Sequence, residues 1–358
     1  LEETLQDFID DAEKKYGITS SKQQIGLRFN DILEAAHEKT GRRAVVLIDE
    51  YDMPLLEVMN TGIPSPVVEG DIKTLEDYNR NILKGFYSVF KLADKHLRFV
   101  LLTGVTKFSQ VSVFSGFNQP DDISCDGRYD ALCGITKDEL LTVFREQIKE
   151  LGKANGLNEE ETIAKLKRKY DGYHFSENML DVFNPFGLLN CLQKGNFKDY
   201  WFSTGTPTYL MRLLADNNEN VNELVGKYYP APEFVDYKAT KQRPLPMLYQ
   251  SGYLTIKGYN QRRNTYLLDF PNEEVRSGMA SALAADYFGN KSRSSTWLDN
   301  VSDSLEAGDL EKFKLQLTAF LANISYRFQR KQDAMECERH FQYTFYLIMC
   351  LLGRYNTY

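Results

Sequence analysis

The chain has 358 residues, of which 42% are hydrophobic and 26% charged, and this size predicts two or three packed domains. Aromatic residues make up 13% of the chain, which excludes a largely disordered protein because disordered sequences contain too little apolar surface to fold. The net charge of -7 provides no general attraction to nucleic acid or to anionic membranes, although a local basic patch is still compatible with DNA binding.

The N-terminal part, residues 1–134, is predicted to alternate helices with buried strands. Two amphipathic helices that end before Gly17 and Gly41 precede a short apolar strand at 45–48. A long helix over 74–97 and a second apolar strand follow. Two apolar strands separated by a helix predict a βαβ unit in a parallel sheet with both faces covered.

The rest of the sequence is predicted to form three further parts. They are a helical lid over 135–228, a helix plus hairpin of the winged-helix kind over 229–275, and a helical segment over 276–358. Capping boxes mark the start of two lid helices, since Thr136 is followed by Glu139 and Asn158 by Glu161.

Three carboxylates crowd the end of the first predicted strand, at Asp49, Glu50 and Asp52. Ligands of open parallel sheets bind at the carboxyl ends of the strands. Thr103 ends the second strand and is therefore expected at the same edge of the sheet. The sequence predicts a polar site there.

An apolar strand followed by Asp-Glu has the form of a Walker B motif. In nucleotide hydrolases with a phosphate-binding loop, the first acid holds Mg²⁺ and a neighbouring residue orients the attacking water. On this interpretation Asp49 is the magnesium carboxylate and Glu50 the general base, while Thr103 contacts the water or the γ-phosphate. The alternative is structural, with Asp52 and Pro54 starting a helix and Thr103 simply ending a strand.

The loop that binds phosphate in such sites, Gly-x-x-x-x-Gly-Lys-Ser/Thr, occurs nowhere in the 358 residues. Without it, no loop surrounds a β-phosphate with backbone N–H groups. We therefore expect this chain by itself to bind nucleotide weakly or not at all.

Basic residues offer other candidates. The segment KLKRKYDGYHF, residues 165–175, mixes basic and aromatic residues as a nucleic-acid surface does, and it equally suits a solvated helix face. Arg262 and Arg263, at the predicted hairpin tip, would reach a DNA phosphate if the hairpin binds DNA. Arg128, in the loop after the second strand, is a candidate arginine finger that contacts the nucleotide.

Cysteine and histidine usage argues against a structural zinc site, because the five cysteines form no CxxC pair and the four histidines no HxxxH or HExxH spacing. Unpaired cysteines are typical of the reducing cytoplasm, where we place the protein.

No apolar stretch is long enough to cross a bilayer, so no membrane partner is expected. The chain does not begin with Met, and we expect it to be a piece of a longer protein.

Seven segments in series resemble the AAA-ATPase-like proteins abundant in Bacteroides and related anaerobes. They are VVLIDEYDMPLL, FVLLTGVTKFSQVSVFSGFN, YDGYHF, NPFGLL, YWFSTGTPTYL, LYQSGYLTIKGY and FPNEEV. The resemblance extends over nearly the whole chain, and its specificity comes from the order and spacing of the segments.

The resemblance implies an α/β fold followed by all-α parts, namely a partial P-loop NTPase core of AAA type, then the lid, the winged-helix-like module and C-terminal helices. In this family a Walker A loop lies upstream and a PD-(D/E)XK nuclease domain downstream, so the chain is expected to lack both. Asp49 and Glu50 match the Walker B acids and Thr103 the sensor position. Glu338 matches a metal-binding acid on the first nuclease helix, with a solvated helix acid as the alternative.

The resemblance implies that the parent protein hydrolyses ATP with Mg²⁺ and that this reaction is coupled to the nuclease. DNA is expected as a further partner, and an oligomer is compatible with this activity. The chain alone is expected to be inactive. A rival hypothesis from another class is a nucleotide-free module that binds a protein or DNA, and a third is a plain structural scaffold.

Overall fold

The computed structural model describes residues 1–59, 61–107, 120–202, 210, 214, 221–235, 244–288, 294–323, 345, 348 and 349. The chain forms two compact units. The first contains Leu1–Asp126, Tyr228–Leu254 and Asn260–Tyr266, and the second contains Gly127–Lys227, Thr255–Tyr259 and Leu267–Tyr358.

The described elements make a mixed α/β protein. The helices are α1 (Glu2–Tyr16), α2 (Ile25–Thr40), α3 (Met53–Leu56), α4 (Leu75–Tyr87), α5 (Val89–Leu92), α6 (Lys137–Val143), α7 (Arg145–Asn155), α8 (Glu159–Tyr170), α9 (Pro185–Lys194), α10 (Pro244–Gln250), α11 (Glu273–Phe288), α12 (Ser294–Glu306) and α13 (Leu310–Asn323). The strands are β1 (Ala44–Ile48), β2 (Pro64–Glu69), β3 (Ile72–Thr74), β4 (Leu97–Leu102), β5 (Ile135–Thr136), β6 (Val182–Phe183), β7 (Lys227–Tyr229), β8 (Thr255–Asn260) and β9 (Thr265–Asp269).

Helices α1 and α2 end as the sequence predicts. Gly17 and Gly41 follow them with φ angles of 72° and 65°, a left-handed conformation that costs glycine little because it has no Cβ. Arg28 of α2 ties the pair together, since its guanidinium donates to Glu13 at 2.8 Å and to Asp10 at 2.7 Å. The hydrogen bond from Arg28 lowers the pKa of the buried Glu13 carboxyl.

Strands β1 and β4 form the predicted parallel pair. Val46 pairs with Val100 and Ile48 with Leu102, and the connection between the strands includes α4 and α5. Thr74 caps α4 by accepting the backbone N–H of Asp77. The predicted long helix is interrupted between α4 and α5, where the Ser88 hydroxyl donates to the carbonyl of Gly85 at 2.8 Å.

One face of this strand pair is exposed, which corrects the expectation that both faces are covered. Val45 is 56% exposed, Leu47 68% and Phe99 53%. Val45 pairs with Phe99 and Leu47 with Leu101, so these apolar side chains lie next to each other on one face because alternate strand residues point the same way. We call Val45, Leu47 and Phe99 the apolar face.

The second unit has a helical core. Buried side chains of α6, α7, α8 and α9 pack together with those of β6, among them Leu140, Ile148, Leu151, Leu166, Tyr170, Phe183 and Leu188. Both predicted capping boxes are confirmed: Thr136 accepts from the backbone of Glu139, and Asn158 from that of Glu161. The antiparallel strands β5 and β6 pair at the start of this core.

The predicted hairpin is also present, as β8 and β9. With β7 these strands form a three-stranded sheet in the order β7, β9, β8. At the start of α11, the buried Glu274 carboxylate accepts the backbone N–H of Trp201 at 2.7 Å. In the part of the chain that the structure describes, every helix is too short or too polar to cross a membrane.

Candidate polar site at the ends of the parallel strands

The carboxyl ends of β1 and β4 are joined by backbone hydrogen bonds that continue beyond both strands. The N–H of Thr103 donates to the carbonyl of Ile48 at 2.8 Å, and the N–H of Tyr51 donates to the carbonyl of Thr103 at 3.0 Å. These bonds extend the parallel ladder and place Thr103 beside Asp49, as the sequence predicts.

Asp49 is exposed, and one of its carboxylate oxygens is held by two donors. The Thr103 hydroxyl donates to Oδ1, and so does the backbone N–H of Glu50, at 2.9 Å. Among the described residues, Oδ2 of Asp49 has no hydrogen bond. The carboxylate is therefore oriented by its neighbours and still has an oxygen available to a ligand.

Glu50 has an unusual backbone for a residue with a side chain, because its φ angle is 52°. Left-handed backbone costs about 1–2 kcal/mol for residues other than glycine. The chain turns here, beyond the end of β1, so the alternation of side chains along the strand does not decide how Glu50 is oriented. The Glu50 side chain is exposed and makes no hydrogen bond or ion pair with the described residues.

Asp52 and Pro54 do start a helix, as the structural alternative predicts, because Asp52 is the N-cap residue of α3 and Pro54 lies in its first turn. The side chain of Asp52, however, makes no capping hydrogen bond. Instead the fully buried carboxylate reaches the segment after β4, where it accepts the N–H groups of Val105 and Thr106 and, at 2.8 Å, the hydroxyl of Thr106. This contact spans more than fifty positions of sequence, and no local pattern predicts it.

Tyr51 and Gly104 complete the contact between the two loops. The Tyr51 hydroxyl donates to the carbonyl of Thr106 at 2.6 Å. A Cβ atom at position 104 would lie 2.7 Å from ring carbons of Tyr51 and would overlap the Asp52 carboxylate. Gly104 is therefore required by close packing between the loops.

The site fits Mg²⁺ as a nucleotide site holds it. Magnesium in such sites takes one or two carboxylates, substrate phosphates and water, rather than a cage of protein ligands. Asp49 supplies one oriented carboxylate, and Thr103 a hydroxyl next to it. In the described ranges no group of three or more His, Cys, Asp or Glu side chains is arranged to hold a metal ion, so phosphate and water would have to supply the remaining ligands.

The structure describes three of the four other predicted site residues. Arg128 is in the second unit, where its guanidinium lies 5.5 Å from the centre of the Tyr129 ring. Arg262 and Arg263 are exposed in the turn between β8 and β9. Glu338 lies outside the described residues.

The basic residues of α8 are paired within their own unit. Lys165 lies 4.4 Å from the centre of the Phe197 ring, and Arg168 donates to Glu273 at 3.1 Å. Lys167 is 3.7 Å from the buried Asp171, and Lys169 donates to Asp199. These partners compete with nucleic-acid phosphates for the four cations, which weakens the interpretation of this segment as a nucleic-acid surface.

Comparison with known proteins matches part of the first unit to a family and nearly the whole chain to one relative. Residues 1–114, which include Asp49, Glu50 and Thr103, match the AAA-ATPase-like family, described as predicted AAA-ATPases. The chain is also similar to an uncharacterized protein in the vnfD 5′ region of Azotobacter chroococcum mcd 1, with 33% identity over 356 residues. That match covers 99% of this chain but only 64% of the length of the relative. No solved structure matches the chain.

Proposed function

We propose that Asp49, Glu50 and Thr103 are the magnesium- and water-binding half of an ATP hydrolysis site. The observation that carries the proposal is the hydrogen bond from Thr103 to Oδ1 of Asp49, which joins the ends of two parallel strands and leaves Oδ2 available. The match of residues 1–114 to predicted AAA-ATPases supports the choice of ATP over other ligands.

In the proposed reaction Asp49 would hold Mg²⁺, which would supply positive charge to neutralise the transferred phosphoryl group. Glu50 accepts a proton from the attacking water, a role that suits an exposed carboxylate without an internal partner. Thr103 would have two roles: its hydroxyl orients Asp49, and it would contact the water or the γ-phosphate.

The other half of the site would be a phosphate-binding loop that these 358 residues do not contain. A relative of greater length, of which this chain spans 64%, is consistent with a larger protein that supplies it. The apolar face would be covered by the added segment, because exposed apolar surface of this kind marks a contact. The strand pair would then be part of a P-loop core.

We extend the proposal to the longer protein as a whole. There the helical lid and the winged-helix-like hairpin would respond to ATP in the cytoplasm and act on a nuclease domain that includes Glu338. Arg262 and Arg263, exposed at the hairpin turn, are the residues that would contact DNA phosphate. Arg128 would act as an arginine finger if subunits assemble around the nucleotide.

The test is calorimetric titration of Mg-ATP into two proteins, the 358-residue chain and a polypeptide extended to include a phosphate-binding loop. We expect binding only by the extended protein, and we expect Asp49→Asn to remove its dependence on magnesium. Glu50→Gln should keep binding and lower turnover by about 10²- to 10⁴-fold. Asp11→Asn, an exposed acid of α1, is the matched control and should change neither.

A second candidate function is a binding module that uses no nucleotide, and the apolar face is the observation that favours it. If the extended protein fails to bind Mg-ATP and keeps this face exposed, the ATPase proposal is wrong. The apolar face would then be the surface on which to look for a protein partner.

A further inference from the structure

The Asp52 carboxylate is fully buried and ionisable, yet no cation within the described residues forms an ion pair with it. Its charge is balanced by three donors instead: two backbone N–H groups and the Thr106 hydroxyl, all from the segment after β4. Backbone donors stabilise a buried carboxylate effectively because they are fixed in direction. The arrangement therefore fixes the path of that segment as well as the charge.

Asp52 lies close to a buried tyrosine of α4. Tyr87 of α4 is itself buried, and its pKa is raised first by burial and further by the nearby Asp52 carboxylate. An unpaired buried charge is costly, so the hydrogen bonds to Asp52 must be kept together. A loop that moved away from Asp52 would lose all three at once.

Thr103 lies between two fixed points. Its own N–H donates to the carbonyl of Ile48. On its C-terminal side, Val105 and Thr106 are held by Asp52, and the carbonyl of Thr106 is also held by Tyr51. The backbone of Thr103 is thereby constrained, which fixes where its side chain begins, and from there its hydroxyl reaches Asp49.

We propose that Asp52 is a positioning residue for the ATP site: it holds the segment after β4 so that Thr103 stays bonded to Asp49. The inference rests on the proposed function for its catalytic consequence. Its structural part, the coupling between the Asp52 contacts and the Asp49–Thr103 pair, can be measured without any nucleotide.

The first experiment measures backbone amide hydrogen exchange by NMR in Asp52→Asn and in the control Ile9→Ala. Asparagine presents an N–H₂ group to one of the donors and so breaks part of the contact. Ile9 is a fully buried residue of α1 in the same unit, and its replacement lowers stability without touching Asp52. The two variants are compared at denaturant concentrations that give equal global stability.

The diagnostic amide is that of Glu50, because it donates to Asp49 and not to Asp52. We expect Asp52→Asn to accelerate exchange at Val105, Thr106 and Glu50, whereas Ile9→Ala accelerates exchange throughout the unit. Faster exchange at Val105 and Thr106 with no change at Glu50 would mean that Asp52 only stabilises its own contact, and would overturn the inference.

A second pair of variants keeps the test decisive if Asp52→Asn does not fold. Thr106→Val removes the hydroxyl that donates to Asp52 and keeps the shape, while Thr106→Ser keeps the hydroxyl. We expect a smaller acceleration at Glu50 in the valine variant and recovery in the serine variant. Equal exchange at Glu50 in both would contradict the inference.

The catalytic consequence is measured in the extended protein that contains a phosphate-binding loop. Substitution of residues that orient metal ligands commonly lowers activity by about 10- to 100-fold, and we expect a loss of that size in Asp52→Asn. Nucleotide binding without magnesium should be unchanged, and Ile9→Ala should retain turnover at temperatures where it is folded. Wild-type turnover in Asp52→Asn would overturn the positioning role. If the unmodified extended protein binds no nucleotide, the proposed function fails, and exchange at Glu50 still decides whether Asp52 positions Asp49 and Thr103.

Discussion

Gly104 lies so close to Asp52 that a methyl group in its place would overlap the carboxylate oxygen that accepts the N–H of Val105. The loops after β1 and β4 can pack against each other only because one of them has no side chain at this point. The polar site therefore depends on Gly104, a residue that has no side chain to take part in binding or reaction.

Replacing Gly104 by alanine should lower the free energy of unfolding by about 1–3 kcal/mol, as overpacking of a close contact generally does. Urea denaturation of the purified variant measures it. Gly85→Ala is the matched control, because a Cβ atom there meets no other atom within 4 Å and the residue lies in helix α4. That variant should be unchanged or more stable by up to roughly 1 kcal/mol. Similar losses in both variants would contradict the close packing of Gly104.

Replacing Glu50 by glycine should raise the stability of the fold and lower ATP turnover. Replacement by glycine removes the unfavourable left-handed backbone, so we expect a gain in the free energy of unfolding of about 1 kcal/mol. Glu50→Gln keeps a side chain in that backbone and should leave stability unchanged. In the extended protein both variants should lose ATP turnover. A glycine variant that is less stable than wild type would show that the Glu50 side chain supports the fold.

Local signals account for what the sequence predicts correctly. Gly17 and Gly41 terminate helices, Thr136 and Asn158 start them, and each acts within four residues along the chain. The parallel pair follows from its apolar strands, and the meeting of Asp49 with Thr103 follows from that pairing.

The sequence does not predict the features that depend on distant or unusual contacts. Asp52 has the pattern of a helix cap, and only its contact with Thr106 reveals its role. The left-handed turn at Glu50 occurs at a residue type that rarely adopts it. The sequence also does not predict the pairing of β2 with β3, because β2 contains prolines and lacks the usual alternation of apolar and polar residues.

The exposure of the apolar face predicts how substitutions in β1 change the free energy of unfolding of the 358-residue chain. Leu47→Ser replaces a side chain that is mostly in solvent, so the free energy of unfolding should change by less than about 0.5 kcal/mol. Val46→Ser, on the opposite and partly buried face, should cost roughly 1–2 kcal/mol because apolar burial is lost. Chemical denaturation compares the two. In the extended protein we expect Leu47→Ser to become as costly as Val46→Ser, and an unchanged low cost would mean that the added segment does not cover this face.

Glu274 makes the second unit sensitive to pH. Burial raises the pKa of this carboxyl to about 7 from an ordinary value of 4.5. The folded protein keeps the proton up to about pH 7, whereas the unfolded chain releases it near pH 4.5, so unfolding releases a proton between these values. Stability from this group is therefore fully present below pH 4.5 and is lost as pH rises through 7, by about 3 kcal/mol in total.

Glu274→Gln should remove this dependence, since the amide oxygen still accepts the N–H of Trp201 and carries no charge at any pH. Unfolding monitored by tryptophan fluorescence at several pH values between 4 and 9 would follow the change. Glu273→Gln, at the exposed neighbouring position, is the control and should retain the wild-type slope. If the stability of the wild type relative to Glu274→Gln increased as pH rises over this range, the burial of a protonated Glu274 would be contradicted, because a raised carboxyl pKa can only make that difference fall.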